Sequence, residues 1–177
     1  MLIALFHVAG AGAALAVGLL FLAAAIGKLR HRALLPAVVA NYRLLPRPLV
    51  APVAASLPWV EAALGLMLVV DQRGGAVAAA ATATLLLLFA AAMAVNLRRG
   101  RTHIDCGCGF GMRQPLHRAL VWRNVLLAAM LLPRIVAERA PTLQERAVAT
   151  PAALAALLLL IFLNAFLTMP QSRPSAA

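Results

Sequence analysis

Residues 74–97 read GGAVAAAATATLLLLFAAAMAVNL, an apolar stretch without a charged side chain. A helix that crosses a bilayer needs roughly 20 mostly apolar residues, so this stretch is long enough to span. Residues 2–26, 49–70 and 147–169 meet the same criterion. The whole chain agrees, because 64% of its 177 residues are hydrophobic and its mean hydropathy is +0.93. That composition excludes a soluble domain of this size and predicts an integral membrane protein.

A fifth apolar segment, residues 116–135, has a shorter uncharged part than the others. Arg118 and Arg123 lie near its start, and Pro133 and Arg134 lie near its end. It therefore spans the bilayer only if these arginines extend their side chains to the headgroups. We expect a helix here, either spanning or short.

These segments predict an all-α membrane protein, a bundle of four to five transmembrane helices. No internal repeat or long linker divides the chain, so we expect one domain over residues 1–170 and a disordered tail over residues 171–177. The stretch from Ala33 to Asn41 can form two turns of an amphipathic helix. We expect it to lie in the membrane interface, with Tyr42 at headgroup level.

The basic character of the chain is explained by the membrane. The formal net charge is +11 and the sequence pI is near 11.8. Arginines at helix ends meet anionic lipid headgroups, and no basic stretch is interleaved with aromatic residues, so we expect the bilayer and not nucleic acid as the partner. The first apolar run lacks a basic segment before it and continues to Lys28, which favours an uncleaved helix over a signal peptide.

Two arguments about sidedness conflict. If segments 49–70 and 74–97 both span, the loop after the first helix and the loop after residue 97 lie on the same side. That side collects Lys28, Arg30, Arg32, Arg43, Arg47, Arg98, Arg99, Arg101, Arg113, Arg118 and Arg123. The positive-inside rule places this face in the cytoplasm, whereas disulfide chemistry prefers the periplasmic face. We expect the periplasmic face of the inner membrane.

The two cysteines of the chain stand in Asp105-Cys106-Gly107-Cys108. Residues two apart in an extended stretch project to the same side, so a bridge between Cys106 and Cys108 can form but is strained. Strain makes a disulfide easier to reduce, and so short a loop contributes little stability, which favours exchange over a structural role.

The charges around the cysteines favour a reactive thiolate. Arg98, Arg99, Arg101 and Arg113 lie within a few residues, and His103 adds to them when protonated. Asp105 opposes them, so we assign it to proton handling or loop geometry.

Three alternatives stand beside the redox interpretation. In the first alternative the cysteines are inert reduced thiols, and in the second they are palmitoylated. In the third alternative, His103, Cys106 and Cys108 hold copper(I) or, across a dimer, zinc. Because one chain lacks an obvious fourth ligand, we predict no metal.

Glu61 is an ionisable residue near the middle of an apolar segment, where an unpaired charge is costly. We expect it to pair with Lys28 or Arg123 and, as the alternative, to transfer protons. Asn96 and Asn124 are expected to form hydrogen bonds between helices.

Six short motifs together resemble the MauE branch of the MauE/DoxX redox-associated membrane proteins, over Gly27 to Leu127. They are Gly27-Lys28, Tyr42-x-Leu44-Leu45-Pro46, Pro58-x-x-Glu61-x-x-x-Gly65, Asn96-Leu97-x-x-Gly100, Asp105-Cys106-Gly107-Cys108 and Arg123-Asn124. The layout also looks like the vitamin K epoxide reductase bundle. In one departure, Gly109 precedes Phe110-Gly111, where the family usually has Cys-Gly-Cys-Phe-Gly.

The resemblance implies an inner-membrane protein that assists maturation of the small (beta) subunit of methylamine dehydrogenase, a periplasmic protein rich in disulfides. It also implies a thioredoxin-like partner. A general thiol-disulfide role transfers more securely than this particular substrate.

We therefore predict a membrane thiol-disulfide oxidoreductase in which Cys106 and Cys108 react, one forming a mixed disulfide with a thioredoxin-fold protein and the other resolving it. The predicted supporting residues are Asp105, His103, Glu61, Arg123 and Asn124. No cofactor motif is present, so a quinone as electron acceptor is a hypothesis without a motif behind it. The rival interpretation is a membrane chaperone or metal-binding subunit that uses the same loop without redox chemistry.

Overall fold

The computed structural model describes residues 2–70, 74–104, 116–137 and 139–168, and these residues form helices and connections without a strand. The helices are α1 (Leu2–Arg30), α2 (Leu35–Asn41), α3 (Arg47–Val70), α4 (Gly75–Arg98), α5 (Arg118–Met130), α6 (Leu132–Ile135) and α7 (Leu143–Thr168). Four of them, α1, α3, α4 and α7, are long and apolar enough to cross a membrane. The predicted all-α membrane fold is confirmed. The tail at 171–177 lies outside the described residues.

Helix α1 is at the centre of the bundle, where it packs against α3, α6 and α7. Its buried side chains are mostly small, including Ala13, Ala14 and Ala16, with Val17 and Phe21 as the larger ones. Small residues let helix backbones approach closely, which is how membrane helices gain packing energy when lipid is as apolar as the core. The other side of the main core comes from α3, α4 and α5.

The segment expected as one helix over residues 116–135 is divided in the structure. Helix α5 ends at Met130 and the one-turn helix α6 begins at Leu132. Pro133, in the first turn of α6, has no N–H and disfavours helical geometry in the residue before it, so it starts a new helix more easily than it continues one. The 13 residues of α5 extend about 20 Å, less than the hydrocarbon thickness.

The expected interfacial segment is helical. A short 3₁₀ turn, Arg32–Leu34, leads into α2, which packs against α3. Arg43 follows it with a left-handed φ of 49°, unusual for a residue with a side chain. The chain then enters α3 at Arg47. The ends of α1 and α4 and the starts of α3 and α5 therefore lie at one end of the bundle.

The opposite end is fixed by polar contacts of α7. The backbone N–H of Thr142 donates to Glu145 Oε2 at 2.8 Å, and the N–H of Glu145 donates to Thr142 Oγ1 at 3.3 Å. This reciprocal capping box starts α7. Arg146 Nη2 donates to the carbonyl oxygen of Val69 at 2.5 Å, so the start of α7 is attached to the end of α3.

Candidate functional site

The predicted reacting residues Cys106 and Cys108, and their neighbour Asp105, lie outside the described residues. The structure does describe the two chain segments that lead into and out of their loop. The backbone N–H of Leu116 donates to the carbonyl oxygen of Thr102 at 3.1 Å. The two described ends of this loop are therefore held together at one point of the bundle.

The base of this loop is anchored by apolar packing. Leu116 and Leu120 are buried together with Met93 of α4, and Ile104 packs against this cluster. His103, one of the predicted supporting residues, is exposed just beyond the base. The loop that carries the cysteines is therefore attached to a fixed frame at the α4 and α5 ends.

A second contact set ties the base to the turn after α2. The buried Asn96 amide donates from Nδ2 to the carbonyl oxygens of Tyr42 and Ala92, both at 3.1 Å. Its Oδ1 accepts from Arg101 Nη1, also at 3.1 Å. The interhelical role expected for Asn96 is found, with Tyr42 as the distant partner. The sequence analysis did not predict that Arg101 binds Asn96. The short separation of the two residues in the chain was the available signal for this contact.

Glu61 forms an ion pair with Lys28. Lys28 Nζ lies 2.7 Å from both carboxylate oxygens, and the side chains are 10% and 2% exposed. Lys28 stands near the end of α1, yet its side chain extends inward to the middle of α3, and its ammonium also lies 5.9 Å from the ring centroid of Phe89. Of the two cations expected near Glu61, Lys28 is the one bound to it.

A cavity of about 60 Å³ brings the ion pair together with two further predicted residues, Arg123 and Asn124. Asn124 is 3% exposed, and its Nδ2 has no hydrogen-bond acceptor among the described residues. Since a water needs roughly 10–15 Å³ of such space, the cavity has room for a few water molecules that could satisfy this donor. Glu61, Arg123 and Asn124 thus line one cavity, whose other walls are mostly apolar.

His117, at the entry to α5, was not singled out in the sequence. Burial lowers its pKa below the usual value, and the positive charge of Arg123 lowers it further. The neutral imidazole is therefore favoured at this position. Because His117 directly follows the buried Leu116, its charge state bears on the base of the cysteine loop.

The described residues include no group of three His, Cys, Asp or Glu side chains that could hold a metal ion. The alternative triplet of His103, Cys106 and Cys108 reaches outside that part of the chain, so both it and the prediction of no metal stay predictions. His7 is half-buried, with an edge-to-face contact to the ring of Phe6.

Comparison with known proteins gives one family. The family model described as methylamine utilisation protein MauE matches residues 4–137. The chain is 44% identical to the methylamine utilization protein MauE of Paracoccus denitrificans over 117 residues, which are 66% of this chain and 62% of that protein. It is 42% identical to the protein of that name from Methylophilus methylotrophus over 120 residues, 68% of this chain and 61% of that protein.

A third relative of that name, from Methylorubrum extorquens, is 47% identical over 113 residues, 62% of this chain and 59% of that protein. The chain spans about three-fifths of the length of the curated relatives it matches. No solved structure matches the chain. The region matched by the family model contains the ion pair, Arg123, Asn124 and both ends of the cysteine loop, whereas α7, which adds Leu160 and Ile161 to the cavity wall, lies beyond it.

Proposed function

The chain belongs to the MauE family, and from this membership we propose that it is an accessory membrane protein of methylamine utilisation whose cysteine loop exchanges disulfides with a thioredoxin-fold protein. The family match and the four helices able to cross a membrane give the coarser part of this statement, a multi-pass membrane protein of that family. The disulfide exchange with a thioredoxin-fold protein is our proposal.

One observation carries the proposal: the hydrogen bond from Leu116 N–H to the Thr102 carbonyl oxygen closes the cysteine loop at its base. This bond holds both ends of the loop at one point of the bundle, and from there we expect Cys106 and Cys108 to reach the partner. Exchange needs access for a partner's thiolate, and it needs a scaffold that keeps the two cysteines together. The buried cluster of Met93, Leu116 and Leu120 supplies that scaffold.

The proposed step is a balanced exchange between two dithiol/disulfide pairs. A thiolate of the reduced partner attacks the Cys106–Cys108 disulfide, forms a mixed disulfide and releases one cysteine as a thiolate. The partner's second thiolate then attacks the mixed disulfide, so the partner leaves oxidised, and Cys106 and Cys108 are left reduced after two electrons have been transferred. The reverse sequence oxidises Cys106 and Cys108 at the expense of the partner's disulfide.

Nearby cations support the step. The released thiolate is stabilised by positive charge, and Arg101 is held at the base of the loop by its hydrogen bond to Asn96. Arg118 is exposed on the other side of the base. These groups favour the thiolate form on which exchange depends.

The proposed setting is the inner membrane with the loop on its periplasmic side. The proposed final substrate is the disulfide-rich small subunit of methylamine dehydrogenase, because the relatives carry the name of methylamine utilisation proteins. Oxidising equivalents pass from the Cys106–Cys108 disulfide to the thioredoxin-fold partner and from it to the substrate, and each exchange balances between two dithiol/disulfide pairs.

The test is direct exchange between the purified, air-oxidised protein and reduced thioredoxin as the probe. Alkylation and mass spectrometry should show both cysteines blocked before mixing, and loss of the disulfide on one chain should match its gain on the other. Cys106→Ser or Cys108→Ser alone, mixed with oxidised thioredoxin, should form a mixed disulfide that reductant dissolves, because the remaining thiolate attacks the thioredoxin disulfide. The double variant should keep its helical content and trap nothing.

Two results would overturn the proposal. One is two freely alkylated thiols in an oxidised preparation. The other is stoichiometric metal bound to the wild-type protein and lost in the double serine variant, which would favour the metal-binding rival.

A further inference from the structure

A second, larger cavity lies beneath the interfacial helix α2. Its volume is about 330 Å³, which falls at the lower end of the range for sites that bind small molecules. Helix α2 forms one wall, and α3 and α4 form the others. Its apolar lining includes Val38, Val39, Leu57, Leu88, Ala92 and Met93.

The position of this groove determines what can fill it. It lies in a bundle whose outer surface carries large apolar side chains, among them Trp59 and Leu88. Water in such a groove would lack hydrogen-bond partners, so hydrocarbon is the favoured filling. Lys28 and Phe89 line this groove and also the cavity at Glu61.

The mouth of the groove is strongly basic. Leu44 and Leu45 line it, and the arginines on either side of them in the chain, Arg43 and Arg47, are exposed. Arg99, at the end of α4, donates from Nη1 to the carbonyl oxygen of Arg43 at 3.4 Å. That contact places the Arg99 guanidinium beside the backbone of Arg43, which holds the strained left-handed φ noted above.

The described part of the chain offers no counter-ion at this mouth. Its carboxylates are Glu61 and Glu145, and these are bound to Lys28 and Arg139 respectively. Arginines with no carboxylate beside them among the residues that the structure describes favour an anion with several acceptor oxygens. Phosphate suits them, because the guanidinium fork matches its geometry.

We propose that this groove and the arginines at its mouth form a binding site for an anionic phospholipid. One acyl chain occupies the groove between α2, α3 and α4, and the phosphate contacts Arg43, Arg47 and Arg99. A neutral lipid would fill the groove equally well but would leave the positive charge of these arginines without a counter-ion. The bound lipid joins α2 to the end of α4, the helix that leads into the cysteine loop.

The test uses the full-length protein, delipidated in detergent. Phosphatidylglycerol and phosphatidylcholine with identical acyl chains are titrated separately, and bound lipid is measured by native mass spectrometry alongside the melting temperature. We expect at least tenfold tighter binding of phosphatidylglycerol. Inorganic phosphate alone should not reproduce the rise in melting temperature.

Two variants separate the groove from the charges, and each has a matched control. Ala92→Trp fills the groove and should abolish lipid binding, whereas Ala91→Trp, one residue away on the exposed surface of α4, should leave it within twofold. The double variant Arg43→Gln/Arg99→Gln should weaken phosphatidylglycerol at least tenfold and leave phosphatidylcholine unaffected. Arg118→Gln removes an exposed charge at the same end and should change neither lipid.

The proposal is overturned if the two lipids bind equally, if Ala92→Trp binds like wild type, or if inorganic phosphate gives the whole thermal shift. Should Ala92→Trp fail to fold, Val38→Trp fills the groove from the α2 wall and takes its place. Circular dichroism establishes which of the two variants is folded before lipid is added.

Discussion

Gly18 of α1 and Gly65 of α3 face each other at the point where the two helices cross. A Cβ on Gly65 would lie 2.8 Å from the carbonyl oxygen of Gly18, and a Cβ on Gly18 would lie 2.9 Å from the carbonyl oxygen of Gly65. Both distances are too short for a carbon atom beside backbone. This close crossing sets the distance between α1 and α3, and the same two helices supply Lys28 and Glu61.

Alanine at either glycine should therefore push α1 and α3 apart. The nearest atom in each case is a backbone carbonyl oxygen that cannot turn aside, so Gly18→Ala and Gly65→Ala are each expected to cost about 1–3 kcal/mol. The measurement is the melting temperature in detergent. The control is Gly12→Ala, whose new Cβ would meet Ala149 at an ordinary 3.6 Å. Equal melting temperatures for Gly65→Ala and Gly12→Ala would contradict the close crossing.

Removing one partner of the Lys28–Glu61 pair should destabilise the protein more than removing both. Lys28→Met leaves the carboxylate of Glu61 unpaired in the bilayer interior, a loss on the order of 3–5 kcal/mol, while Lys28→Met/Glu61→Gln removes both charges. We expect the double variant to melt above the single one. In the same series Glu61→Gln should be tolerated better than Glu61→Leu, because the amide keeps hydrogen bonds.

Proton transfer by Glu61 is the alternative role that this series also tests. Glu61→Gln should keep disulfide exchange with reduced thioredoxin near the wild-type rate. A folded Glu61→Gln protein without exchange would assign chemistry to this carboxylate and contradict a supporting role.

The sequence predicted the long helices because the bilayer demands a length and a composition that few other structures require. It also predicted a cation for Glu61, since an unpaired charge there is prohibitive. It did not choose between Lys28 and Arg123, because that choice depends on how far α1 lies from α3 at the Gly18–Gly65 crossing. The sequence pattern does not specify the distance between the two helices.

Other features depend on contacts between residues far apart in the chain. The bond between Thr102 and Leu116, the partner of Asn96 and the groove under α2 arise only after the helices pack. Pro133 was a sequence signal for the helix break at Leu131, but the continuous apolar run before it favoured the prediction of a single helix. The roles of Cys106 and Cys108 stay predictions, since these residues lie outside the described part of the chain.

Asn96→Ala should loosen the base of the cysteine loop. It leaves the carbonyl oxygen of Tyr42 and the guanidinium of Arg101 without this partner, and the loss of buried hydrogen bonds costs about 1–3 kcal/mol. The melting temperature should fall accordingly. Thr84→Ala removes a hydroxyl that donates to the Ala80 carbonyl oxygen on the exposed face of the same helix, and it should have little effect. A larger drop for Thr84→Ala than for Asn96→Ala would refute the assignment.

His117 should make stability depend on pH. Its pKa in the folded protein is lowered, by burial first and by Arg123 second, so the unfolded chain binds the proton more readily. Stability is therefore greatest above the unfolded value of about 6.5 and falls as the pH drops below it. Melting temperatures between pH 7.5 and 5 should decrease for the wild type and decrease less for His117→Gln. Identical slopes for the two proteins would exclude this histidine as the source.

The side of the membrane that carries the cysteines is open to a decisive labelling experiment. The turn at Tyr42 and the base of the cysteine loop are joined through Asn96, so both lie at one end of the bundle. The positive-inside rule counts the arginines of this end, but Arg99 and Arg101 are engaged in contacts within the protein, which reduces their weight as topology signals. Disulfide exchange favours the periplasmic side.

An impermeant maleimide applied to intact spheroplasts under mild reduction should therefore label Cys106 or Cys108. The control is a cysteine at the opposite end, Ala140→Cys in a Cys106→Ser/Cys108→Ser background, because the start of α7 is attached to the end of α3 through Arg146 and Val69. This cysteine should react only after permeabilisation. The reverse pattern would place the loop in the cytoplasm, where the exchange partner would be a cytosolic thioredoxin, and it would show that the arginines of this end determine topology even where their side chains are bound within the bundle.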